Sequence, residues 1–324
     1  MPLKKILWAS HFSSVRRDFS PCIWSGPLNV NFVIFQFAGG NAFFAGVALL
    51  ASSLLLLSRA RGVVARGCGR ALLIVGLVIV ASSGTPLNRW LYLALGLLAI
   101  VCLLLCELPP AAALSKRRAM ITLVFCAVLA GVCVSEWRHR VAPKIQVSSS
   151  QRIYVVGDSV SAGVGSGIKL WPEILGYSTK LEVVNLAQAG ATAATALRQA
   201  KAITSAHSLV LLEIGGNDIL GATNPAEFRA ALDALLSQLK SDGHDVIMFE
   251  LPLPPFCNAY GETQRGLAHK YGVPLIPKTV LANVFARKDA TMDGIHLTQP
   301  GHEALARSVG KMLVIESVGT PMRR

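Results

Sequence analysis

Three residues in the C-terminal half have the types and the spacing required for nucleophilic catalysis. Ser159 lies two residues after the apolar run RIYVVG at 152–157, on a turn that Gly157 permits. Far downstream, Asp293 and His296 stand three residues apart in the segment DGIH. A serine hydroxyl becomes a nucleophile when an imidazole takes its proton and a carboxylate orients that imidazole. The sequence therefore predicts a catalytic triad of Ser159, His296 and Asp293.

N–H donors near this serine could stabilise an oxyanion. The candidates are the backbone N–H groups of Ser159 and Gly190 and the side-chain amide of Asn217, which follow three different apolar runs. Donors held in place around a developing negative charge contribute strongly to acyl transfer. Four further loop residues are expected to support the site: Gly157, Asp158, Gly216 and Asp218.

Other readings of the polar residues are less favourable. Asp158 and Asp218 could form a carboxylate pair around a metal ion, but we favour hydrogen bonding to loop N–H groups, and no His/Cys spacing typical of a metal site occurs. His302, in PGHE, fits the periodicity of the last helix and is expected to be structural. Cys257 follows a proline-rich loop and is expected to be a spectator thiol. We predict no metal and no cofactor.

The blocks that carry these residues resemble the SGNH (GDSL-type) serine hydrolases. The four signature residues of that family correspond to Ser159 in GDS, Gly190 in NLAQAG, Asn217 in GGND and His296 in DGIH. Asp293 completes the triad of the family. The resemblance covers roughly residues 150–315 and implies a three-layer, flavodoxin-like hydrolase domain that acts on acyl esters.

Within that family, the sequence is similar to the bacterial acyl-thioesterase/lysophospholipase type. It shares GDSVSAG, the pair Trp171-Pro172 and the run Glu213–Asp218. It departs from the usual pattern in 188–192, which lacks an acidic residue, and in 297–299, where Leu-Thr-Gln replaces Pro-Asn. The GxSxG turn of α/β-hydrolases and the phosphate-loop patterns are absent.

Short apolar runs alternate with helical patterns from residue 148 onward, which predicts a parallel sheet covered on both faces. The carboxyl ends of such strands gather at one edge, where Ser159, Gly190 and Asn217 would meet. The predicted strands are 152–157, 181–186, 208–214, 245–251 and 273–276. The predicted helices are 168–175, 192–203, 225–239, 262–271 and 300–313.

The N-terminal half has a different composition. The chain of 324 residues is 52% hydrophobic and 15% charged, whereas a soluble domain is nearer a quarter charged. A helix that crosses a bilayer needs about 20 apolar residues, with a range near 17–25. We predict an all-α membrane region of four helices at 41–136, whose second stretch is short. The predicted spans are 41–58, 71–85, 90–106 and 119–135.

The remaining segments complete the predicted organisation. Residues 1–40 stay undefined, because prolines, glycines and asparagines interrupt a fifth span. Residues 137–149 form a linker, 150–318 the hydrolase domain and 319–324 a tail.

The positive charge of the chain belongs to the membrane half. Residues 1–150 contain 15 Lys and Arg against 3 Asp and Glu, whereas 151–324 contain 16 against 15. This distribution disfavours a nucleic-acid partner. Basic loops after the first and third spans are expected to be cytoplasmic, which places the hydrolase domain outside the cytoplasm. The count of positive charges on the two sides is close to a tie.

The sequence therefore predicts an integral membrane serine esterase whose partners are the bilayer and a lipid, thioester or O-acyl glycan substrate. A carbohydrate O-deacetylase is one alternative, and transfer of an acyl group is a minor one. A non-catalytic binding module anchored by the four helices is an alternative of another class. The sequence leaves the oligomeric state open.

Overall fold

The computed structural model describes residues 30–59, 62–107, 112–221 and 223–316 of the chain. Its N-terminal part consists of five helices, α1 to α5: Val30–Ala38, Asn41–Arg59, Val63–Ser82, Arg89–Glu107 and Ala112–Arg138. Three of these are long and apolar enough to cross a bilayer by length and composition, namely α2, α3 and the part of α5 from Lys116 to Arg138. Helix α4 is apolar over the shorter stretch Arg89–Leu105.

Helix α3 corrects the predicted second span. The prediction of 71–85 is wrong in extent, because α3 begins at Val63 and ends at Ser82. Arg66 and Arg70 are the fourth and eighth residues of α3, and a search for charge-free stretches in the sequence therefore begins the span only after them. With 20 residues, α3 is therefore long enough to cross a bilayer by length and composition.

The helices pack through an apolar core and expose further apolar residues. Gly46 of α2 lies against Gly76 of α3, and the Ser53 hydroxyl donates to Gly69 O at 2.6 Å, so these helices run antiparallel in close contact. The bundle core includes Phe43, Leu50, Leu54, Leu73, Leu95, Phe125 and Leu129. Ile74, Leu97 and Leu123 point outward and are exposed. Helices that are apolar on both their inner and outer faces suit a lipid environment.

The C-terminal part contains a five-stranded sheet in the order β3-β2-β4-β5-β6, with all neighbours parallel. This is the flavodoxin-like order, and it confirms the predicted sheet. The strands of the chain are β1 (Ile145–Ser148), β2 (Ile153–Gly157), β3 (Val183–Asn185), β4 (Leu209–Glu213), β5 (Asp245–Phe249), β6 (Leu275–Ile276) and β7 (Leu313–Glu316).

Helices cover both faces of this sheet. They are α6 (Ser159–Ala162), α7 (Trp171–Thr179), α8 (Ala193–Ala200), α9 (Gly216–Leu220), α10 (Pro225–Ser241), α11 (Asn258–Tyr271), α12 (Lys278–Phe285) and α13 (Gln299–Gly310). One core joins the sheet to α8, α10 and α11 through residues such as Leu232 and Leu267. The other joins it to α7, α12 and α13 through residues such as Trp171 and Leu305. These are the three layers expected from the sequence.

Two segments differ from the predicted organisation. Strand β1 lies inside the predicted linker 137–149 and pairs in parallel with β7, from Ile145 opposite Leu313 to Ser148 opposite Glu316. Four residues are too few for their alternation to be recognised. Helix α1 lies within the undefined segment 1–40, whereas residues 1–29 and the predicted tail 319–324 lie outside the described residues.

Buried charges join the helical bundle to the sheet domain. Glu136, near the end of α5, lies 2.8 Å from Arg265 Nη1 in α11 and 2.7 Å from Lys278 Nζ in α12. Arg265 Nε also pairs with Glu250 at 2.7 Å, and both carboxylates are fully buried. Lys278 Nζ donates in addition to Gly84 O at 2.8 Å. Opposite charges thus balance within one buried cluster, as burial of charge requires.

Backbone hydrogen bonds reinforce this junction. After α3, Gly84 N–H donates to Phe37 O of α1 at 2.8 Å. After β5, Leu253 N–H donates to Ala38 O at 3.1 Å. The last turn of α1 is therefore attached both to the bundle and to the sheet domain.

Candidate active site

Ser159 lies just after β2, an internal strand of the sheet. It is the first residue of α6, and the Asp158 side chain caps that helix by accepting from Val160 N–H at 3.0 Å. A Cβ at Gly157 would stand 2.8 Å from Glu213 O, so only glycine allows β2 and β4 to approach this closely at their ends. The local sequence thus places Ser159 at the carboxyl edge, beside the point where the strand order reverses.

His296 and Asp293 form a rigid pair in a short loop. The Asp293 Oδ2 atom lies 2.6 Å from His296 Nδ1, and Oδ1 accepts from the backbone N–H groups of Ile295 and His296 at 3.1 and 2.9 Å. Partial burial raises the pKa of Asp293, but these hydrogen bonds outweigh it, so the net pKa is below its usual value. The carboxylate therefore stays charged and fixes the ring with Nδ1 occupied, which leaves Nε2 for proton transfer.

The three predicted oxyanion donors follow β2, β3 and β4. Among the described residues, nothing accepts a hydrogen bond from the N–H groups of Ser159 and Gly190. Gly190 has φ of +77°, a conformation that favours glycine. Asn217 Nδ2 donates to Ala191 O at 2.9 Å and faces Asp158 Oδ2 at 3.4 Å. The Asn217 side-chain amide is thus held between the loop that contains Gly190 and the loop that contains Ser159. Its hydrogen bond to Asp158 is the longer and weaker of the two.

A cavity of about 410 Å³ brings these residues together. Ser159, Asn217, Asp293 and His296 all line it, whereas Gly190 is not among its lining residues. Away from the loops that carry these residues, the wall is mostly apolar and comes from three segments: Leu251, Pro252, Pro254 and Pro255 after β5; Leu281 and Phe285 from α12; and Asn31, Ile34, Phe35 and Ala38 from α1. Sequence reasoning missed the α1 wall, since only its lack of charge distinguishes that segment.

Known proteins share this part of the chain. Residues 155–304 match the GDSL-like lipase/acylhydrolase family. Esterase TesA from Pseudomonas aeruginosa is 30% identical over 173 residues, which cover 50% of this chain and 84% of that protein. The chain belongs to the GDSL-like lipase/acylhydrolase family. It is an ester-hydrolysing serine hydrolase, as the sequence predicted.

Two further relatives match the same region of this acylhydrolase. Thioesterase 1/protease 1/lysophospholipase L1 from Escherichia coli K12 is 27% identical over 179 residues, covering 52% of this chain and 86% of that protein. A crystal structure of TesA aligns with a TM-score of 0.45 and 26% identity, covering 50% of this chain and 97% of that one. The helices of the N-terminal half lie outside the residues matched by the family.

A buried carboxyl pair lies beneath the serine of this acylhydrolase. Burial raises the pKa of Asp158 to about 6, and burial together with the nearby Asp158 raises the pKa of Glu213 well above its usual value. Glu213 Oε2 accepts from the Ser161 hydroxyl at 2.9 Å, and Trp171 Nε1 donates to that hydroxyl at 3.1 Å. The pair therefore retains a proton above the pH at which free carboxyl groups lose theirs. The sequence marked Glu213 only as part of a shared run.

The other supporting residues brace neighbouring loops. Asp218 Oδ2 accepts from Ala193 N–H, at the start of α8, at 2.9 Å, while Asp158 caps α6. These two carboxylates serve different elements, as the hydrogen-bonding interpretation predicted. A Cβ at Gly216 would stand 3.1 Å from Asp158 Oδ2, so the start of α9 lies close against that carboxylate. Both aspartates thus accept hydrogen bonds from backbone N–H groups.

His302 is buried away from the cavity. Its Nδ1 atom accepts from the backbone N–H of Trp171 at 3.2 Å, which places the ring proton on Nε2. Burial lowers the pKa of His302 to about 4, so the ring is neutral. Its geometry is that of a structural histidine that ties α13 to α7.

Proposed function

We propose that this acylhydrolase is a membrane-anchored esterase that cleaves acyl esters through an acyl-Ser159 intermediate. The observation that carries the proposal is the shared cavity, which Ser159 and the fixed His296–Asp293 pair both line. A nucleophile, a base and a group that orients the base are the parts such chemistry requires.

In the first half-reaction, Ser159 Oγ attacks the acyl carbonyl carbon while His296 Nε2 takes the hydroxyl proton. The carbonyl oxygen becomes an oxyanion, to which the N–H groups of Ser159 and Gly190 and the Asn217 amide donate. The long contact from Asn217 to Asp158 can be exchanged for this stronger one at little cost. Collapse breaks the C–O bond of an ester or the C–S bond of a thioester, and the departing alcohol or thiol takes the proton from His296.

In the second half-reaction, water replaces the leaving group. His296 takes a proton from the water, whose oxygen attacks the acyl carbon, and the same donors stabilise the second oxyanion. Collapse releases the carboxylic acid and returns the proton to Ser159. Throughout, Asp293 stabilises the imidazolium form of His296.

We also propose that the hydrolase domain lies outside the cytoplasm. The ends of the bundle farthest from this domain carry Arg59, Arg66, Arg70, Lys116, Arg117 and Arg118. At the near end, Arg140 donates to Asn41 Oδ1 at 2.6 Å and lies over the Phe44 ring, so its charge is engaged within the protein. Arg89, Arg138 and Lys144 also lie at the near end, so the described residues place six basic side chains at the far end and four at the near end. This excess favours a cytoplasmic far end by the positive-inside rule.

A membrane-impermeant fluorophosphonate tests catalysis and orientation together. The full chain is expressed in bacterial cells, and labelling of intact cells is compared with labelling after permeabilisation, with Ser159→Ala as the control. We expect Ser159-dependent labelling in intact cells. Labelling only after permeabilisation would overturn the orientation. Absence of labelling in both, with folded protein present, would favour a non-catalytic binding module.

A further inference from the structure

Helix α1 forms one wall of the active-site cavity although it lies outside the family-matched residues 155–304. The α1 residues that line the cavity are Asn31, Ile34, Phe35 and Ala38. Their spacing of three, four and seven residues defines one face of a helix. This face is therefore an addition that the present chain makes to the catalytic domain.

Close packing holds this wall in place. The Phe35 ring lies 5.4 Å from that of Phe285 in α12, and both rings line the cavity. A Cβ at Gly39 would stand 2.9 Å from the Ala282 side chain, so the end of α1 lies directly on α12. The carbonyl groups of Phe37 and Ala38 also accept the backbone hydrogen bonds described above. Helix α1 is therefore a fixed part of the cavity wall.

The interior of the cavity suits an acyl chain longer than acetyl. Its volume falls within the range of about 300–1,000 Å³ that small-molecule sites occupy. Beside α1, the lining residues after β5 and from α12 are leucines, prolines and phenylalanine. Each methylene buried against such a wall strengthens binding about fourfold. An acetyl group would forgo nearly all of that contribution.

The position of the bilayer follows from the near ends of the bundle helices. Trp90 at the start of α4 and Trp137 at the end of α5 are 65% and 63% exposed, as interfacial tryptophans are. Two residues after Trp90, the Tyr92 hydroxyl accepts from Asn258 Nδ2 at 3.0 Å, which fixes the start of α11 and the loop before it at this level. Phe256, in that loop, is 81% exposed.

Helix α1 reaches the same level, because only Gly39 and Gly40 separate it from the membrane helix α2. Its outer residues Phe32, Val33 and Ile34 are exposed, and no charge occurs between residues 19 and 58. Ile34 is both 53% exposed and part of the cavity wall, so it stands at the mouth. An uncharged, apolar helix face at the mouth, beside the apolar helix α2, fits contact with lipid.

We infer that the substrate is a lipid ester drawn from the bilayer, whose acyl chain enters beside α1, and that Ile34 and Phe35 set the chain length accepted. This inference rests on the proposed acyl-serine chemistry. The mouth of the cavity contacts the interfacial layer of the membrane. The acyl chain of the substrate passes from that layer into the cavity.

The first arm of the test uses the full chain in lipid vesicles with p-nitrophenyl acetate and p-nitrophenyl decanoate. Ile34→Trp narrows the mouth and is expected to lower the decanoate-to-acetate ratio of kcat/KM about tenfold. Ile34→Ala widens the mouth and is not expected to lower the decanoate-to-acetate ratio. The matched control Val33→Trp, on the same helix but not in the wall, keeps the wild-type ratio. An unchanged ratio in Ile34→Trp would overturn the role of α1.

The second arm tests the source of the substrate. A fluorogenic palmitoyl glycerol ester is placed either in the vesicles that hold the enzyme or in separate vesicles without protein. Hydrolysis confined to the first arrangement is expected. Equal rates in both would mean capture from water and would overturn supply from the bilayer. If fluorophosphonate did not label Ser159 of the wild-type protein, the proposed acyl-serine chemistry would be wrong. A failure of the chemistry can therefore be distinguished from a failure of substrate supply from the bilayer.

Discussion

Lys278 Nζ lies 2.7 Å from Oε1 of Glu136, so a residue of the sheet domain and the end of the last bundle helix, α5, form one buried ion pair. Desolvation lowers the pKa of Lys278, although Glu250 and Glu136 act in the opposite sense. The charge of this lysine is thus tolerated because its partners are fixed around it. The orientation of the active-site mouth toward the bundle depends on this junction.

Substitution of Lys278 by Met is expected to destabilise the protein strongly. The change leaves two buried carboxylates with only Arg265, and breaking a buried pair costs about 3–5 kcal/mol. Lys270→Met is the matched control, because its pair with Asp233 at 2.6 Å is exposed and such pairs contribute about 0–1 kcal/mol. Thermal unfolding of both variants in the same detergent measures the difference. Equal shifts in Tm would contradict a stabilising junction.

Substitution of Asn217 by Ala is expected to lower kcat about 10²–10³-fold with little change in KM, since it removes one oxyanion donor. Steady-state kinetics with a short p-nitrophenyl ester measures the effect. Asn224→Ala is the control, because Asn224 caps α10 by accepting from Ala226 and Glu227 N–H at 3.0 Å and lies outside the cavity lining. That variant should lose about 1 kcal/mol of stability and keep its kcat. A wild-type kcat in Asn217→Ala would exclude this amide from the oxyanion site.

The two histidines of the C-terminal segment are expected to behave differently. His296→Ala removes the base and should lower kcat about 10⁴-fold or more. His302→Ala should keep most of its turnover per folded molecule but lose about 1–3 kcal/mol of stability, because Trp171 N–H is left without its acceptor. Circular dichroism of each purified variant gives the folded fraction without depending on catalysis. Comparable losses of kcat in the two variants would contradict the assignment of His296 as the base.

The candidate catalytic residues could be found from the sequence because each lies in a short segment with its own spacing. Asp293 and His296 are neighbours in the chain, and Ser159 and Asn217 follow apolar strands directly. A parallel sheet covered on both faces followed in the same way from the alternation of apolar runs and helices, whereas the flavodoxin-like arrangement was implied by the resemblance to the SGNH hydrolases. Local pattern therefore sufficed for the catalytic edge of the sheet.

The cavity wall and the junction could not be found in this way, because they depend on contacts between distant residues. Phe35 and Phe285 are separated by 250 positions, and nothing near either one indicates the other. Glu136 is the exception, since an acid at the end of an apolar helix signals a buried partner. The identity of that partner still depends on how α11 and α12 pack against α5.

Substitution of Glu213 by Gln is expected to stabilise the protein at high pH. Folding raises the pKa of Glu213 above its unfolded value of about 4.3, so the folded state takes up a proton, and stability falls as pH rises through the folded pKa. Gln is the neutral equivalent: its carbonyl can still accept from the Ser161 hydroxyl, and it does not titrate. The gain in Tm over wild type should therefore be larger at about pH 8 than at about pH 5. Glu173→Gln, an exposed change at the start of α7, should show no such trend. A gain independent of pH would mean that the carboxyl pair holds no proton.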